Sequence, residues 1–266
     1  MDPSPQGGRA GRRVPQSLRI GCVKYLNARP LIHGWPGPIV LDHPSALCAQ
    51  LARGELDLAL VSSFEFLRNP IYKIVDDVSI SSDGPVYSVV VTHRGKISDV
   101  NEIALDPAAE TSGNLLRCLL SEMKLQARLV GGSTASTQTA RLLIGDQAIR
   151  FRQENAGDFQ FFDLGESWKQ IVGLPFVYAL WLVRPEVVDP KSIADQLRAL
   201  RDRNLANIDT LISSETEFDR AFCDRYYREN LRFNFGEREK KGLLAFHELC
   251  AKHDLLPKRE IALSVV

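Results

Sequence analysis

The chain has 266 residues, 44% of them hydrophobic and 25% charged, which is the composition of a globular protein and excludes a fibrous or wholly disordered one. Its 33 basic residues balance 33 acidic ones, so it lacks the electrostatic footprint of a nucleic-acid or anionic-membrane binder. That length suits one large domain or two lobes.

The first 17 residues, MDPSPQGGRAGRRVPQS, are rich in Gly, Pro and Arg and have no apolar core behind their charges. They do not read as a secretory signal and are expected to form a disordered leader, residues 1–17. No later run approaches the ~20 apolar residues of a membrane span. The five cysteines (Cys22, Cys48, Cys118, Cys223, Cys250) are scattered, which predicts buried, reduced thiols and a cytoplasmic location.

Ordered structure is expected from Leu18, with strand Arg19–Val23 running into the polar turn Lys24–Pro30. A second strand, Ile39–Asp42, precedes a helix opened by Pro44-Ser45 and stopped by Gly54. The apolar run Leu56–Val61 suits a strand covered on both faces, and Ser62–Asn69 suits a helix. Strand, helix, strand with short links signals a parallel α/β sheet. Further strands are expected at Val86–Thr92, Glu102–Leu105, Ala127–Val130, Leu142–Ile144, Phe159–Asp163 and Phe176–Val183, with an amphipathic helix at Ser112–Met123. After Pro190 the pattern turns helical, at Ser192–Ile212, Glu217–Glu229 and Glu237–Lys252. The order predicts two lobes, residues 18–90 with 184–266 and residues 91–183, joined at Val86–Thr92 and Phe176–Val183. A cleft between two such lobes suits a small molecule.

No Gly-rich dinucleotide or phosphate loop, no zinc-protease helix, no C-x-x-C and no serine nucleophile elbow is present. The five histidines show no metal-ligand spacing, so neither a metal site nor a cofactor is expected. What remains is a set of hydroxyls and amides at strand ends. Tyr25 and Asn27 follow the first strand, where open α/β sheets bind ligands, although a core strand with a surface turn explains them equally well. Ser62 and Ser63 end the strand Leu56–Val61. Thr111-Ser112 opens a helix whose free N–H groups favour a carboxylate or phosphate, and a plain helix cap accounts for the same residues. Ser88 faces either the cleft or the core, and Gly145-Asp146 ends a strand as a binding turn or an ordinary one. Together these positions describe a site for a small anionic molecule.

The blocks GCVKYLNARPLI, SDGPVYSVVV, ALDPAAETSGNLL, LIGDQAI and DLGESWKQIVGLPFVYALW, in that order, resemble the chorismate dehydratase family of the futalosine route to menaquinone. The resemblance spans Arg19 to Trp181. It implies an α/β fold of two lobes similar to type II periplasmic binding proteins, with a cleft between them. It also implies a hydro-lyase that turns chorismate into 3-[(1-carboxyvinyl)oxy]benzoate without metal or nucleotide. By the same resemblance, Asn27 and Ser88 act at the reacting centre, Thr111 and Ser112 hold a carboxylate, and Gly145 and Asp146 match a family block; with Tyr25 and Ser62, placed by their strand ends, they are expected to complete the substrate site. Two blocks depart from the family. Ala109-Glu110 stands where a serine and an arginine are usual, and Thr139-Ala140-Arg141 replaces an acidic-alanine run. An anion beside the carboxylate-binding helix start weakens a dianionic ligand unless Lys24, Arg29 or Arg141 compensates or Glu110 points away.

Overall fold

The computed structural model describes residues 18–106, 109–131 and 140–266, so the expected leader and Thr139 lie outside the described residues. Strand β1 (Ile20–Val23) is wholly buried and runs parallel to β2 (Ile39–Asp42) and β3 (Leu58–Ser62). A 3₁₀ turn at Leu26–Ala28 and the one-turn helix α1 (Arg29–Ile32) follow β1; Pro30 fits that first turn because its missing N–H has no partner there anyway. Helix α2 (Pro44–Ala52) buries Leu47, Cys48 and Leu51 against β1 and β3. Helix α3 (Ser63–Arg68) leads into β4 (Lys73–Ser82).

Strand β4 has no counterpart among the sequence expectations. Its apolar alternation is broken by Asp76-Asp77, with Asp77 at φ 60°, and its last residues include three serines. Those serines are buried and bonded instead: Ser79 Oγ donates to Asn234 O and Ser81 Oγ to Arg232 O.

The chain then enters a second sheet with β5 (Val89–His93) and β6 (Glu102–Leu105). Helix α4 (Glu110–Glu122), β7 (Arg128–Gly131), β8 (Ala140–Ile144), helix α5 (Gly145–Glu154), β9 (Gln160–Asp163) and helix α6 (Leu164–Val172) complete it. Strand β10 (Phe176–Val183) returns to the first sheet, antiparallel to both neighbours. The strand orders are β2-β1-β3-β10-β4 and β7-β6-β8-β5-β9. These orders correct the expected division at residues 90 and 183. Strand β10 belongs to the first sheet because its eight buried residues fill the gap between β3 and β4, whereas β5 bonds β8 and β9. The crossings are the segments that precede β5 and β10, not those strands themselves.

The C-terminal third wraps the first sheet with α7 (Pro190–Ala206), α8 (Ile208–Ser213), α9 (Arg220–Arg225) and α10 (Glu237–Lys252). Asn207 breaks the single helix expected over 192–212. Helix α9 continues as a π-helical turn, Tyr226–Asn230, closed by Leu231 N on Tyr226 O at 3.1 Å. One core runs through both lobes. At its centre Trp168 of α6 meets Phe176 of β10 (ring centroids 5.0 Å apart) and Phe246 of α10 (6.1 Å), an edge-to-face cluster that joins the lobes.

Candidate active site

A pocket lies between the sheets, lined by residues of both, where two-lobed folds place small-molecule sites. The first sheet contributes Tyr25 and Asn27 beyond β1, Ser62 at the end of β3 and Tyr178 of β10; the second contributes Ser88 before β5, Thr111 and Ser112 at the start of α4, and Gly145 after β8. Seven of the nine residues singled out from sequence therefore line one pocket; Asp146 does not, nor does Ser63, whose hydroxyl donates to Val177 O at 2.7 Å.

Asp146 is a correction with a clear cause. Its carboxylate turns away and accepts the Leu26 N–H at 2.8 Å. Burial raises its pKa, partly opposed by that bond. Asp146 thus ties the second lobe to the turn that carries Asn27. Tyr227 holds the other side of the same residue, donating its hydroxyl to Leu26 O at 3.0 Å. Gly145 supports the turn differently. It sits at φ 60°, and a β-carbon there would stand 2.9 Å from the Tyr25 ring, so only glycine lets the ring lie flat on the β8–α5 junction. Burial, then Asp106 and Asp146, push the Tyr25 phenol up to about 12, so it stays a neutral donor.

Ser88 stands on a strained turn. Tyr87 has φ 66°, and Ser88 N bonds back to Val86 O at 2.8 Å. Asp163, the cap of α6, holds this turn. Its carboxylate accepts Val86 N at 3.1 Å and Tyr87 N at 2.8 Å while also receiving Gly165 N and Glu166 N. Arg152 lies 4.2 Å over the Tyr87 ring. Gly145 N donates to Ser88 O at 2.8 Å, which joins the two strand ends.

Sequence reasoning missed Tyr226. Wholly buried on the π turn, it donates its hydroxyl to Ser88 Oγ at 2.6 Å. Burial pushes its pKa far up, against the opposing pull of Ser88 and, more weakly, of the Asn27 amide. The Asn27 Oδ1 is buried without a hydrogen-bond partner.

At the other end Ser62 and Thr111 share a hydrogen bond between hydroxyls, and Phe64 N donates to Thr111 Oγ1 at 3.3 Å. The first turn of α4 supplies N–H groups where Thr111 and Ser112 are both buried. Glu110 is ion-paired with Arg68, which also holds the buried Glu65. None of the three expected compensating cations serves the pocket: Arg29 is paired with Glu215, while Lys24 and Arg141 are exposed. Among the described residues no Lys or Arg lines it. Cys48, Glu65 and Glu110 place possible ligand atoms within 4.8 Å of one another, but the Arg68 guanidinium already fills the role of their cation. All five cysteines are free and buried, as expected.

The family described as menaquinone biosynthesis matches residues 18–252. A chorismate dehydratase of Thermus thermophilus is 30% identical, with 86% of this chain and 93% of that protein covered. A chorismate dehydratase of Campylobacter jejuni is 25% identical over 85% and 90%. Among solved structures, a protein of Archaeoglobus fulgidus superposes with a TM-score of 0.67 at 18% identity, covering 90% of this chain and 98% of its own. The alkanesulfonate-binding protein of Xanthomonas axonopodis pv. citri gives 0.63 at 17%, covering 94% and 97%. The fold is that of periplasmic binding proteins, and the chain belongs to the menaquinone biosynthesis family.

Proposed function

We propose that this protein is a chorismate dehydratase, a cytoplasmic lyase that removes water from chorismate to give 3-[(1-carboxyvinyl)oxy]benzoate. The observation that carries this reading is the meeting, in one interlobe pocket, of the unpartnered Asn27 Oδ1 and the Ser88 hydroxyl, opposite the N-terminus of α4. In the reaction a ring C–H beside the enolpyruvyl ether loses its proton and the neighbouring hydroxyl leaves, so water and an aromatic ring form together. The ring carboxylate acidifies that C–H through the intervening double bond. Donors on the carboxylate at Thr111, Ser112 and the first N–H groups of α4 stabilise the developing charge. Asn27 and Ser88 then hold the hydroxyl that departs.

The base comes from the substrate in this reading. Glu110, the one carboxylate lining the pocket among the described residues, is bound to Arg68, and Asp146 faces Leu26. The enolpyruvyl carboxylate can reach its own ring C–H once the pocket fixes the conformer, a proximity effect. Purified protein incubated with chorismate should release the aromatic enolpyruvyl ether, seen as loss of one water by mass spectrometry. Tight binding of chorismate with no product overturns the lyase and leaves a second reading, a non-catalytic binding protein for a cyclic carboxylate. Among the described residues the lining holds Glu110 and no Lys or Arg, which favours that alternative for a less anionic ligand.

A further inference from the structure

Tyr226 lies outside the pocket lining, yet it touches Ser88 at the reacting end. Its O–H donates to Ser88 Oγ at 2.6 Å. A serine oxygen that accepts from a phenol must send its own hydrogen elsewhere, and Ser88 lines the pocket. The same pocket is lined by Asn27, whose Oδ1 is buried without a hydrogen-bond partner. An amide carbonyl oxygen can only accept. The two hydroxyls therefore have one direction, from Tyr226 to Ser88 and from Ser88 into the pocket.

We infer that Tyr226 is a positioning residue that fixes Ser88 as a hydrogen-bond donor beside the Asn27 carbonyl, an acceptor, so that the pair recognises a substrate hydroxyl group. A hydroxyl both donates and accepts, and it is the group that matches one fixed donor and one fixed acceptor. A ketone, an ether or a bare C–H leaves the Asn27 carbonyl unpaired, and an unpaired buried acceptor is costly. The direction also suits departure of that hydroxyl, since donation from Ser88 to its oxygen strengthens as the C–O bond lengthens and charge builds there. Burial keeps the phenol protonated throughout the physiological range, so it retains a hydrogen to donate. The rigid frame around Tyr226 fits the same role. Its ring stacks on Phe222 at 5.4 Å, and the π turn that carries it is a local irregularity of a kind that recurs at functional sites.

This inference rests on the dehydratase reading and deepens it. Its test uses two ring-saturated chorismate analogues that cannot aromatise, one carrying the ring hydroxyl and one lacking it. Calorimetric titration of the full-length protein should show at least tenfold tighter binding of the hydroxyl analogue. Tyr226→Phe should lose most of that preference while binding the deoxy analogue within about twofold of the parent. The same variant should lower kcat for chorismate, and Tyr226→Phe/Ser88→Ala should be no slower than Ser88→Ala alone. A parent protein that binds both analogues equally overturns the inference without any variant. So does a Tyr226→Phe variant that weakens both analogues equally, or one whose effect adds fully to that of Ser88→Ala. A parent protein that turns over no chorismate and binds neither analogue overturns the dehydratase reading, and the inference with it. Turnover with an unchanged preference in the variant overturns the inference alone.

Discussion

At the reacting end of the pocket, Asn27 and Ser88 are held by a buried lattice of directional bonds from four residues: Asp146, Asp163 and, side by side on the π turn, Tyr226 and Tyr227. At the carboxylate end, Thr111 bonds Ser62 across the lobes, the helix start carries the anion Glu110, and Arg68 compensates it from the first lobe. The reacting end is preorganised and, among the described residues, presents no charged side chain to the pocket, whereas the carboxylate end depends on how the lobes meet. Chemistry that must place a C–H and a hydroxyl within a fraction of an ångström needs the first kind of wall, while a carboxylate tolerates the second.

The sharpest way to break this contrast is to truncate the reacting end. Ser88→Ala and Asn27→Ala should each lower kcat for chorismate by about 100-fold or more, the scale of losing one preorganised hydrogen-bonding group. The melting temperature should move by no more than a few degrees, because neither side chain fills core volume. Turnover assays with parallel thermal melts check this, and unfolding of both variants would return the residues to a structural role. Asp163→Ala comes next. Four backbone N–H groups lose their acceptor at once, which should cost about 2–4 kcal/mol of stability and also lower kcat through the loosened Tyr87–Ser88 turn. Urea unfolding separates the two effects.

A smaller change sharpens the carboxylate end. Glu110→Gln removes an anion beside the pocket and leaves Arg68 anchored by Glu65. A dianionic substrate should then bind about two- to fivefold more tightly in KM, with kcat nearly unchanged, since the Arg68 pair already screens most of the Glu110 charge. Arginine at this position, the residue usual in the family, would face Arg68 directly. The departure at Ala109-Glu110 is therefore half of a pair with Arg68, which the linear sequence places 42 residues away.

The same separation decides what could be read before folding. LDLALV and FVYALWLV announce buried strands because apolar continuity is a local signal, and most pocket residues were legible because they end such strands. Strand β4 was not legible, since its buried serines find partners in the segment 232–234, which nothing local reveals. Asp146 read as a ligand group because strand-end carboxylates often are, but its partner Leu26 lies 120 residues away. Tyr226 lies 138 residues from Ser88 and, in an amphipathic segment beside Tyr227, resembles any core aromatic. Groups that face the pocket announce themselves by type and position, whereas groups that position them are recognisable only once the chain has closed.

The comparison also predicts how the protein responds to pH. Burial holds the pKa of His93 in β5 and of His247 in α10 below the ordinary 6.5, with Arg259 adding to the effect at His247. Each is neutral in the fold and charges more readily once unfolded. Their contribution to stability is therefore fully present above about pH 6.5 and is lost as pH falls through the depressed folded values. The melting temperature should decline on acidification below that point, and His93→Gln should flatten part of the decline. Turnover should not follow the opposite limb. Burial pushes the Tyr25 phenol up to about 12 and the Tyr178 phenol well above its ordinary value, so neither pocket phenol changes charge on the way from neutrality to about pH 9. A flat kcat profile over that interval is expected. A bell-shaped profile centred there would reveal an ionising protein base and break the view of the reacting end as a neutral template that lets the substrate supply its own.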